Sequence, residues 1–590
     1  MRRTLSVLAA FLLTVAWPQA RAVAEVPIPE VDIPIDDSAL EINTTGTGNT
    51  DYVIDLSGVS AKFFANHYTV LDARITYDLS KVVNPNCPPN ITLRTNDSAQ
   101  TYIRRSSANN VATQRLAIAQ PQERQYLLQV RRDGTGVSTA GPCVTLTNLA
   151  VPYALKIKLA QETASPTGWG FATQHMPTRG DGEPSIAVDK RNNNVYISAP
   201  VGGPAVVGGM PGGIDFWRSL NGGTSFEYSQ PVFSANATAG FDSHVAVDRS
   251  GTVWLLDLAA TTIFVGRSFD SGGTWSGVVP AGFDADREWL AVYGPTPGGV
   301  IKAFVSYHDI NADNYPYECI SPDGGATWQT VCNPMLTDPA ALADGFDNTT
   351  IGPQVFDSTG TVYDVISTPS AGDPNLTYRS VWLARSSDGI VFTNKLIYRA
   401  PVGYDTGSLF PTIAVDSADN LYAVWSERFA PSGSSTVRIS YSTDHGDHWS
   451  APQNISTPGQ SALLPWVTAS APGMVDVTWT GSTTGTSNDP TANWFQYAAQ
   501  NRGVLTGGTW STTRVSPHPV RYGTVCLSGI GCSTAGDDGR ILLDFTSIDT
   551  DSFGNAHVTY ANSGPEGYAS DPAMTYTDYA RQTSGGRISR

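Results

Sequence analysis

The stretch RSFDSGGTW, residues Arg267–Trp275, decides the fold that the sequence predicts. Its Asp can cap a tight turn by accepting hydrogen bonds from backbone amides a few residues further on. Its glycines supply the positive φ angles that such a turn needs. The closing Trp then has a fixed direction in which to pack against a neighbouring sheet. We therefore interpret this stretch as a folding device, a hairpin between two strands, and not as a catalytic element.

Four further stretches share this pattern of Ser, Asp or Asn, glycine and a closing aromatic residue. They are RSLNGGTSF (Arg218–Phe226), ISPDGGATW (Ile320–Trp328), RSSDGIVF (Arg385–Phe392) and YSTDHGDHW (Tyr441–Trp449), and a remnant, GGTW, ends at Trp510. The copies lie roughly 50 to 65 residues apart, a period that is typical of repeated β-sheets. The spacing predicts one such hairpin in each sheet.

A second repeat lies between the hairpins and consists of an apolar run, a polar turn and a second alternating run. Its copies begin at Glu183, Ser243, Arg287, Ile351, Phe410, Leu464 and Asp544. Such paired runs predict two successive strands. Seven units predict an all-β fold, a β-propeller of seven four-stranded blades, with six blades as the alternative. The last unit lacks the hairpin, so we expect it to borrow a strand from Gly168–Ala172.

These hairpins resemble the Asp-box, or BNR, repeats of the sialidase superfamily, over about Gly180 to Gln582. The resemblance implies a sialidase-like propeller whose hairpins face away from the active site. It also implies catalysis by three arginines that grip a sugar carboxylate, a Tyr–Glu nucleophilic pair and an Asp acid/base. The first arginine normally lies in an Arg-Ile-Pro motif, but the matching place here reads Gly182-Glu183-Pro184-Ser185. The proline is kept and the arginine, a bidentate partner for carboxylates, is missing.

The remaining segments predict export and an accessory domain. Residues 1–24 have the basic start, apolar run and small residues of a secretory signal peptide, and no other stretch is long and apolar enough to span a membrane. Residues 26–162 carry neither repeat but alternate in short runs, which predicts a small β-sandwich. Residues 163–179 are expected to be a linker, 180–582 the propeller and 583–590 a disordered tail.

The net charge indicates which classes of partner to expect, and the cysteine content indicates the cellular compartment. The formal net charge is −17, from 36 basic and 53 acidic residues, which argues against nucleic acid or an anionic membrane as partner. We expect an extracellular glycan or glycoprotein instead. Six cysteines fit an oxidising compartment. Proximity favours the pairs Cys319–Cys332 and Cys526–Cys532, which leaves Cys87–Cys143. A metal site is the alternative, although no CxxC spacing accompanies these cysteines.

The loops that enter the innermost strands are rich in carboxylates and are expected to open opposite the hairpins. The residues predicted to be catalytic are Asp242, Asp286, Arg287, Glu288, His308 and Asp309. Those predicted to bind substrate are His244, Glu427, Arg428 and Arg540. A Gly-aromatic-Asp triplet recurs at Asp242, Asp284, Asp347 and Asp405. The alternative is that each triplet Asp only caps a turn.

Two functions remain open at this point. Glycoside hydrolysis needs a pair of carboxyl groups, one protonated and one ionised, and the predicted catalytic residues supply several. A secreted glycoside hydrolase acting on extracellular glycans is therefore the first hypothesis, and a non-catalytic propeller that binds glycan or protein is the second. No cofactor is predicted. Clustered Asp residues leave Ca²⁺ open as a ligand, because calcium prefers oxygen donors.

Overall fold

The structure is a computed structural model, and it describes most of the propeller region together with strands of the N-terminal region. The described residues are 29–36, 38, 41–47, 50–59, 68–77, 90–95, 101–105, 111–118, 125–131, 137–138, 141–142, 152–162, 168–176, 181–200, 213–229, 241–259, 261–312, 315–345, 349–369, 377–407, 409–429, 433–457, 460–483, 485–527, 542–563 and 575–589. The predicted signal peptide and residues 163–167 of the predicted linker lie outside them.

The N-terminal region contains a five-stranded and a four-stranded β-sheet and a two-stranded pair, in line with the strands that its alternating runs predicted. Its strands are β1 (Glu30–Asp36), β2 (Glu41–Thr47), β3 (Thr50–Gly58), β4 (Tyr68–Tyr77), β5 (Asn90–Thr95), β6 (Thr101–Arg105), β7 (Val111–Ile118), β8 (Gln125–Arg131), β9 (Val137–Ser138), β10 (Gly141–Pro142) and β11 (Pro152–Glu162). One sheet has the order β1-β3-β8-β5-β6, the other β2-β11-β4-β7, and β9 pairs with β10. A buried hydrogen bond of 2.8 Å joins the Tyr52 and Tyr153 hydroxyls across the two sheets.

Seven four- or five-stranded sheets follow and form the blades, numbered here along the chain. After β12 (Gly170–His175) their strands are β13 (Ser185–Asp189), β14 (Asn194–Pro200), β15 (Ile214–Ser219) and β16 (Glu227–Ser229) in blade 1; β17 (Ser243–Val247), β18 (Val253–Ala259), β19 (Thr262–Ser268) and β20 (Ser276–Gly282) in blade 2; β21 (Ala285–Tyr293), β22 (Lys302–Asp309), β23 (Tyr315–Ser321) and β24 (Asn333–Pro334) in blade 3.

The later blades have the same order, with the innermost strand of blades 4 and 5 divided in two. Their strands are β25 (Thr350–Ile351), β26 (Val355–Phe356), β27 (Val362–Pro369), β28 (Tyr378–Ser386) and β29 (Thr393–Arg399) in blade 4; β30 (Tyr404–Asp405), β31 (Thr412–Val415), β32 (Leu421–Phe429), β33 (Ser435–Ser442) and β34 (Gln453–Asn454) in blade 5; β35 (Ser461–Ala469), β36 (Val475–Ser482), β37 (Asn493–Asn501), β38 (Ser511–Arg514) and β39 (Arg521–Tyr522) in blade 6; β40 (Ser547–Thr550), β41 (Ala556–Asn562) and β42 (Tyr576–Ser584) in blade 7. A short helix, α1 (Pro339–Asp344), precedes blade 4.

The blades close into a ring. Each innermost strand contacts that of the next blade, and β40 of blade 7 contacts β13 of blade 1. The fourth strand of blade 7 is β12, which pairs antiparallel with β42. The predicted seven-bladed propeller is therefore confirmed, and so is the borrowed strand near residues 168–172. The alternative of six blades is wrong.

The repeated hairpins join the third and fourth strands of their blades, as predicted. In blade 2 the backbone amide of Thr274 donates to Asp270 Oδ1 at 2.8 Å, and the amide of Gly272 donates to Ser268 Oγ at 2.8 Å. Gly272 has φ 80°, and a Cβ there would lie 2.6 Å from Phe216 of blade 1. Trp275 also meets the Phe216 ring edge-on, with centroids 5.1 Å apart. The hairpin thus caps its own turn and packs against the preceding blade.

One of the predicted disulfides lies wholly within the described residues. Cys319 of β23 is bonded to Cys332, with the Cα atoms 4.5 Å apart. Cys526 is also in a disulfide, whereas its predicted partner Cys532 and the pair Cys87–Cys143 lie outside the described residues. Within the part of the chain that is described, no helix is long and apolar enough to cross a membrane.

The C-terminal residues differ from the expected disordered tail. Strand β42 continues to Ser584, and Ile588 is fully buried. The amide of Ile588 donates to the Gly554 carbonyl of blade 7 at 3.1 Å, and the Ile588 carbonyl accepts from the Ala471 amide of blade 6 at 3.1 Å. Its place at the chain terminus suggested disorder, but one apolar side chain and two backbone hydrogen bonds fix the tail between two blades.

Replacing Ile588 with alanine is expected to lower the free energy of unfolding by about 2 kcal/mol, because buried apolar contacts are lost. This value is at the low end of the range for buried isoleucine, since a chain end can relax into the space. Ile588→Val, which removes one methylene, is the matched control and is expected to cost about 1 kcal/mol. Denaturant unfolding measures both. Equal stability of Ile588→Ala and the parent protein would show that packing of the tail does not stabilise the fold.

A buried carboxyl group in β18 predicts an unusual pH dependence of stability. Asp257 is 1% exposed, and neither of its oxygens has a hydrogen-bond partner. Burial raises its pKa to about 8. Above pH 4 the unfolded chain ionises this group while the folded chain keeps the proton, so the group destabilises the fold increasingly from pH 4 to about 8.

Replacing Asp257 with asparagine is therefore expected to raise the melting temperature at pH 7 and to leave it nearly unchanged at pH 4. Asp270 provides a control of opposite sign, because hydrogen bonds from Thr274 lower its pKa to about 2. Its contribution to stability is complete above its unfolded pKa near 4 and is lost as the pH falls towards 2, so Asp270→Asn lowers the melting temperature at pH 7. Thermal unfolding at both pH values tests the pair. A lower melting temperature for Asp257→Asn at pH 7 would contradict the assignment.

Candidate active site at the propeller axis

A repeated backbone kink at the start of the innermost strands positions the central side chains. Glu183 of blade 1 and Arg287 of blade 3 have φ of 50° and 49°, in the left-handed region that non-glycine residues seldom adopt. The same conformation recurs at Leu409, Leu464 and Leu543 of blades 5, 6 and 7. In blade 3 it coincides with a register shift between Asp286 and Trp289, as expected of a β-bulge. Three blades thus place leucine at this kink, and two place a charged residue.

Arg287 lies at the centre of the ring. Its Nη2 atom lies 3.0 Å from Glu183 Oε2, 3.0 Å from Asp242 Oδ1 and 3.3 Å from Asp544 Oδ2. These carboxylates come from blades 1, 2 and 7, so four blades meet at one guanidinium group. Because all three oxygens lie about 3 Å from one nitrogen, any two of them lie within roughly 6 Å of each other.

Aromatic rings pack against the other side of this charge cluster. The guanidinium carbon of Arg287 lies 4.8 Å from the centroid of the Phe410 ring, 5.4 Å from that of Phe545 and 5.8 Å from that of Trp289. Trp289 is fully buried and meets Phe410, Trp466 and Phe545 at 5.2 to 5.5 Å. Cation–π contacts at these distances stabilise a desolvated guanidinium group, so the rings and the carboxylates together hold Arg287 in place.

Three carboxyl groups of the cluster have raised pKa values. Burial raises the pKa of Glu183 well above its ordinary value; Arg287 opposes this effect, and Asp242 adds to it. Burial likewise raises the pKa of Glu288, whose two oxygens have no hydrogen-bond partner. The pKa of Asp286 is raised by burial and then by the nearby Asp242 charge. Asp286 is only partly buried and is the most exposed of these residues.

The two predicted histidines are both held neutral but differ in surroundings. His308 faces Asp286 across the β21–β22 pair and lies 3.3 Å from Thr349 Oγ1. Burial and then the Arg287 charge lower its pKa to about 3. Burial lowers the pKa of His244 to about 4. The His244 ring accepts a hydrogen bond from the Leu290 amide and packs edge-on against Trp289, so its contacts are those of a core residue and not of a substrate ligand.

The other predicted residues have local partners away from Arg287. Asp309 accepts from the amides of Asn311 and Ala312 at 2.9 and 3.1 Å and so caps a turn. In blade 5, Glu427 pairs with Arg438. Arg428 pairs with Asp405 at 3.2 Å. None of these contacts brings Asp309, Glu427 or Arg428 to the cluster, so their predicted roles at a shared site lack support.

The Asp residues of the Gly-aromatic-Asp triplets differ in their contacts: one lies in the charge cluster and another caps a turn. Asp242 contacts Arg287, whereas Asp405 accepts from the Gly407 amide at 2.8 Å and caps a turn. Asp284 is exposed, and Asp347 and Arg540 lie outside the described residues. The turn-capping interpretation is therefore confirmed for Asp405, and a functional role of Asp242 stays a prediction.

Two residues of the cluster, Glu183 and Asp544, were not assigned to the site from the sequence. Both lie in carboxylate-rich entry loops, which was the available signal. With Pro184 matched to the proline of the Arg-Ile-Pro motif, Gly182 stands at the arginine position and Glu183 at the isoleucine position. Among the described residues, no group of three or more His, Cys, Asp or Glu is arranged to hold a metal ion. Ca²⁺ binding stays a prediction.

No model of a known protein family matches the chain, and no curated protein matches it. Similar solved structures include a Dyadobacter fermentans protein of unknown function, with 12% identity over 69% of this chain and 95% of that chain and a TM-score of 0.39. A leech intramolecular trans-sialidase has 10% identity over 92% and 98% of the two chains and a TM-score of 0.36. An α-L-arabinanase of Penicillium chrysogenum has 12% identity over 71% and 97% and a TM-score of 0.35. We draw no functional conclusion from similarities this low.

Proposed function

We propose that the protein is a secreted glycoside hydrolase that cleaves extracellular glycans with the carboxyl groups around Arg287. The observation that carries this proposal is the convergence of carboxyl groups from blades 1, 2 and 7 on the guanidinium group that blade 3 places at the axis. Glycoside hydrolysis by a retaining mechanism needs two carboxyl groups about 5 Å apart, one of which keeps its proton. Asp286 and Asp242 are the candidate pair, because Asp286 lies near enough to Asp242 for the Asp242 charge to raise its pKa.

Asp286 is the candidate general acid. Its raised pKa keeps a proton available, and it is the most exposed carboxyl group of the cluster. Asp242 is the candidate nucleophile or base, because its charge raises the pKa of Asp286 and because it contacts Arg287. A carboxyl group with a raised pKa beside a second carboxyl group is an arrangement that acid/base catalysis can use. Arg287, Glu183 and Asp544 are positioning residues that hold Asp242 in place.

Export is supported by the N-terminal segment and by the cysteines. Residues 1–24 have the pattern of a cleavable signal peptide, and Cys319 and Cys332 form a disulfide, which persists in oxidising compartments. The acidic charge balance disfavours polyanionic partners. A glycan outside the cell is the substrate that these features support.

Replacing Asp286 with asparagine is expected to lower kcat about 10²- to 10⁴-fold, the usual contribution of a general acid. The matched control is Asp476→Asn, which makes the same change at a buried carboxyl group in blade 6 that accepts a hydrogen bond from Gln500. The control should keep the turnover of the parent protein. Both variants are assayed on a panel of glycosides after their fold is checked by thermal unfolding. Unchanged turnover in Asp286→Asn would exclude Asp286 as the acid.

The pH profile separates an acid role from a merely structural one. Asp544 raises the pKa of Asp286, so removing its charge lowers that pKa. The acid then loses its proton at a lower pH, and the alkaline limb of the kcat profile of Asp544→Asn should move to lower pH. A limb that does not move would show that Asp286 does not supply the proton.

A second candidate function, non-catalytic glycan binding, is favoured by the low exposure of most of the cluster. Glu183 and Glu288 are 2% exposed, and Arg287 is 6% exposed. A site used only for binding can be built on such a fixed charge network without proton transfer. This function predicts glycan binding by the parent protein without turnover of any glycoside.

A further inference from the structure

We infer that the sugar accepted at the Arg287 cluster is uncharged and carries no carboxylate or sulfate group. This inference rests on the proposed function, since it names the substrate class of the same site. It departs from what the hairpin resemblance implies, namely an acidic sugar gripped by three arginines. The departure follows from the contacts of Arg287 and from the charges around it.

The Nη2 group of Arg287 is fully used by the protein. It carries two N–H donors, yet three carboxylate oxygens, of Glu183, Asp242 and Asp544, lie within 3.3 Å of it. A substrate carboxylate would have to displace one of these buried groups. The displaced carboxylate would then lack its partner inside the protein, which is costly. The Nη2 group therefore holds protein carboxylates and is not free to receive an anionic substrate.

The charges around Arg287 also disfavour an anion. Five carboxyl groups, Glu183, Asp242, Asp286, Glu288 and Asp544, interact with this one guanidinium group. The raised pKa values of Glu183, Asp286 and Glu288 show that additional negative charge is already unfavourable there. His308, with its lowered pKa, adds no positive charge at neutral pH. A carboxylated sugar would meet like charges at short range.

A neutral sugar has the complementary chemistry. Its hydroxyl groups donate hydrogen bonds, and ionised carboxylates only accept them. The cluster is rich in carboxyl oxygens that can accept such hydrogen bonds, and both oxygens of the buried Glu288 have no hydrogen-bond partner. Hydroxyl donors can pair with this surplus without adding charge. The geometry is thus suited to polyhydroxylated, uncharged rings.

Matched chromogenic glycosides test the inference with the full chain and with Asp286→Asn. The panel pairs neutral sugars (arabinofuranoside, galactoside, glucoside) with acidic ones (N-acetylneuraminide, glucuronide) on one leaving group. We expect turnover of at least one neutral glycoside, with kcat/KM at least 100-fold above that of either acidic one, and its loss in Asp286→Asn. Turnover of an acidic glycoside at an equal or higher rate, lost in the same variant, would overturn this inference while leaving the proposed function intact.

Absence of turnover on every glycoside would instead overturn the proposed hydrolase. A glycan array probed with the same two proteins then decides the substrate class. Binding of neutral glycans that Asp286→Asn alters would support an uncharged ligand at this cluster. Binding confined to sialylated, uronylated or sulfated glycans would overturn it.

Discussion

Replacing Arg287 with methionine is expected to lower the free energy of unfolding by about 3 to 5 kcal/mol, the cost of removing one partner from a buried ion pair. Methionine keeps much of the side-chain volume but leaves Glu183, Asp242 and Asp544 without their shared cation. These carboxylates repel one another once Arg287 is gone. The variant should therefore be most unstable at neutral pH and should recover stability in acid, where the carboxyl groups take up protons. Denaturant unfolding at pH 7 and pH 4 measures both effects.

Arg385→Met is the matched control for this prediction. Arg385 pairs with Asp447 at 2.7 Å, but both side chains are partly exposed, so the loss should be below about 1 kcal/mol. Arg287→Lys keeps the positive charge but loses the planar fork, and it should lie between the two. A cost for Arg287→Met no larger than that of Arg385→Met would show that the three carboxylates do not depend on Arg287.

Replacing Trp289 with alanine is expected to destabilise the protein by about 3 to 5 kcal/mol, the usual cost of truncating a fully buried aromatic residue. Trp289 packs against Phe410, Trp466 and Phe545, which come from three other blades. Its indole nitrogen also donates to the Ile351 carbonyl at 3.0 Å. Loss of this side chain therefore weakens the packing between blades around the axis, and turnover should fall together with stability.

Phe269→Ala serves as the control for Trp289→Ala, since this ring is 70% exposed and its removal should change stability by less than about 0.5 kcal/mol. Thermal unfolding compares the two variants, and glycoside turnover is measured well below their melting temperatures. A Trp289→Ala variant as stable and as active as the parent would contradict the central role of the aromatic cluster.

The ring of blades could be predicted because its signals are local. The hairpin that contains Asp270 caps itself through residues no more than four positions away, and each copy repeats the same short pattern. The number of units followed from counting paired runs between the hairpins. The missing fourth strand of the last blade pointed to the segment before blade 1, where β12 lies. These features need no knowledge of contacts between distant residues.

The composition of the site was only partly predictable because its contacts are not local. Arg287 meets Glu183 across 104 positions and Asp544 across 257 positions of sequence. The amide of Asp544 donates to Glu183 across 361 positions. The sequence showed which entry loops carry carboxylates, but a loop such as that of Glu427 and Arg428 looks the same and forms its own pairs within blade 5. Only the closed ring distinguishes them.

The most direct test of a glycan site at the axis is the crystal structure of Asp286→Asn with a neutral oligosaccharide, which the slowed variant should keep intact. We expect a glycosidic oxygen within hydrogen-bond distance of the side chain at position 286, with Asp242 facing the adjacent anomeric carbon. Sugar bound only elsewhere would contradict it, for instance in the cavity of about 550 Å³ on the hairpin side, lined by Asp357, Arg385 and His445.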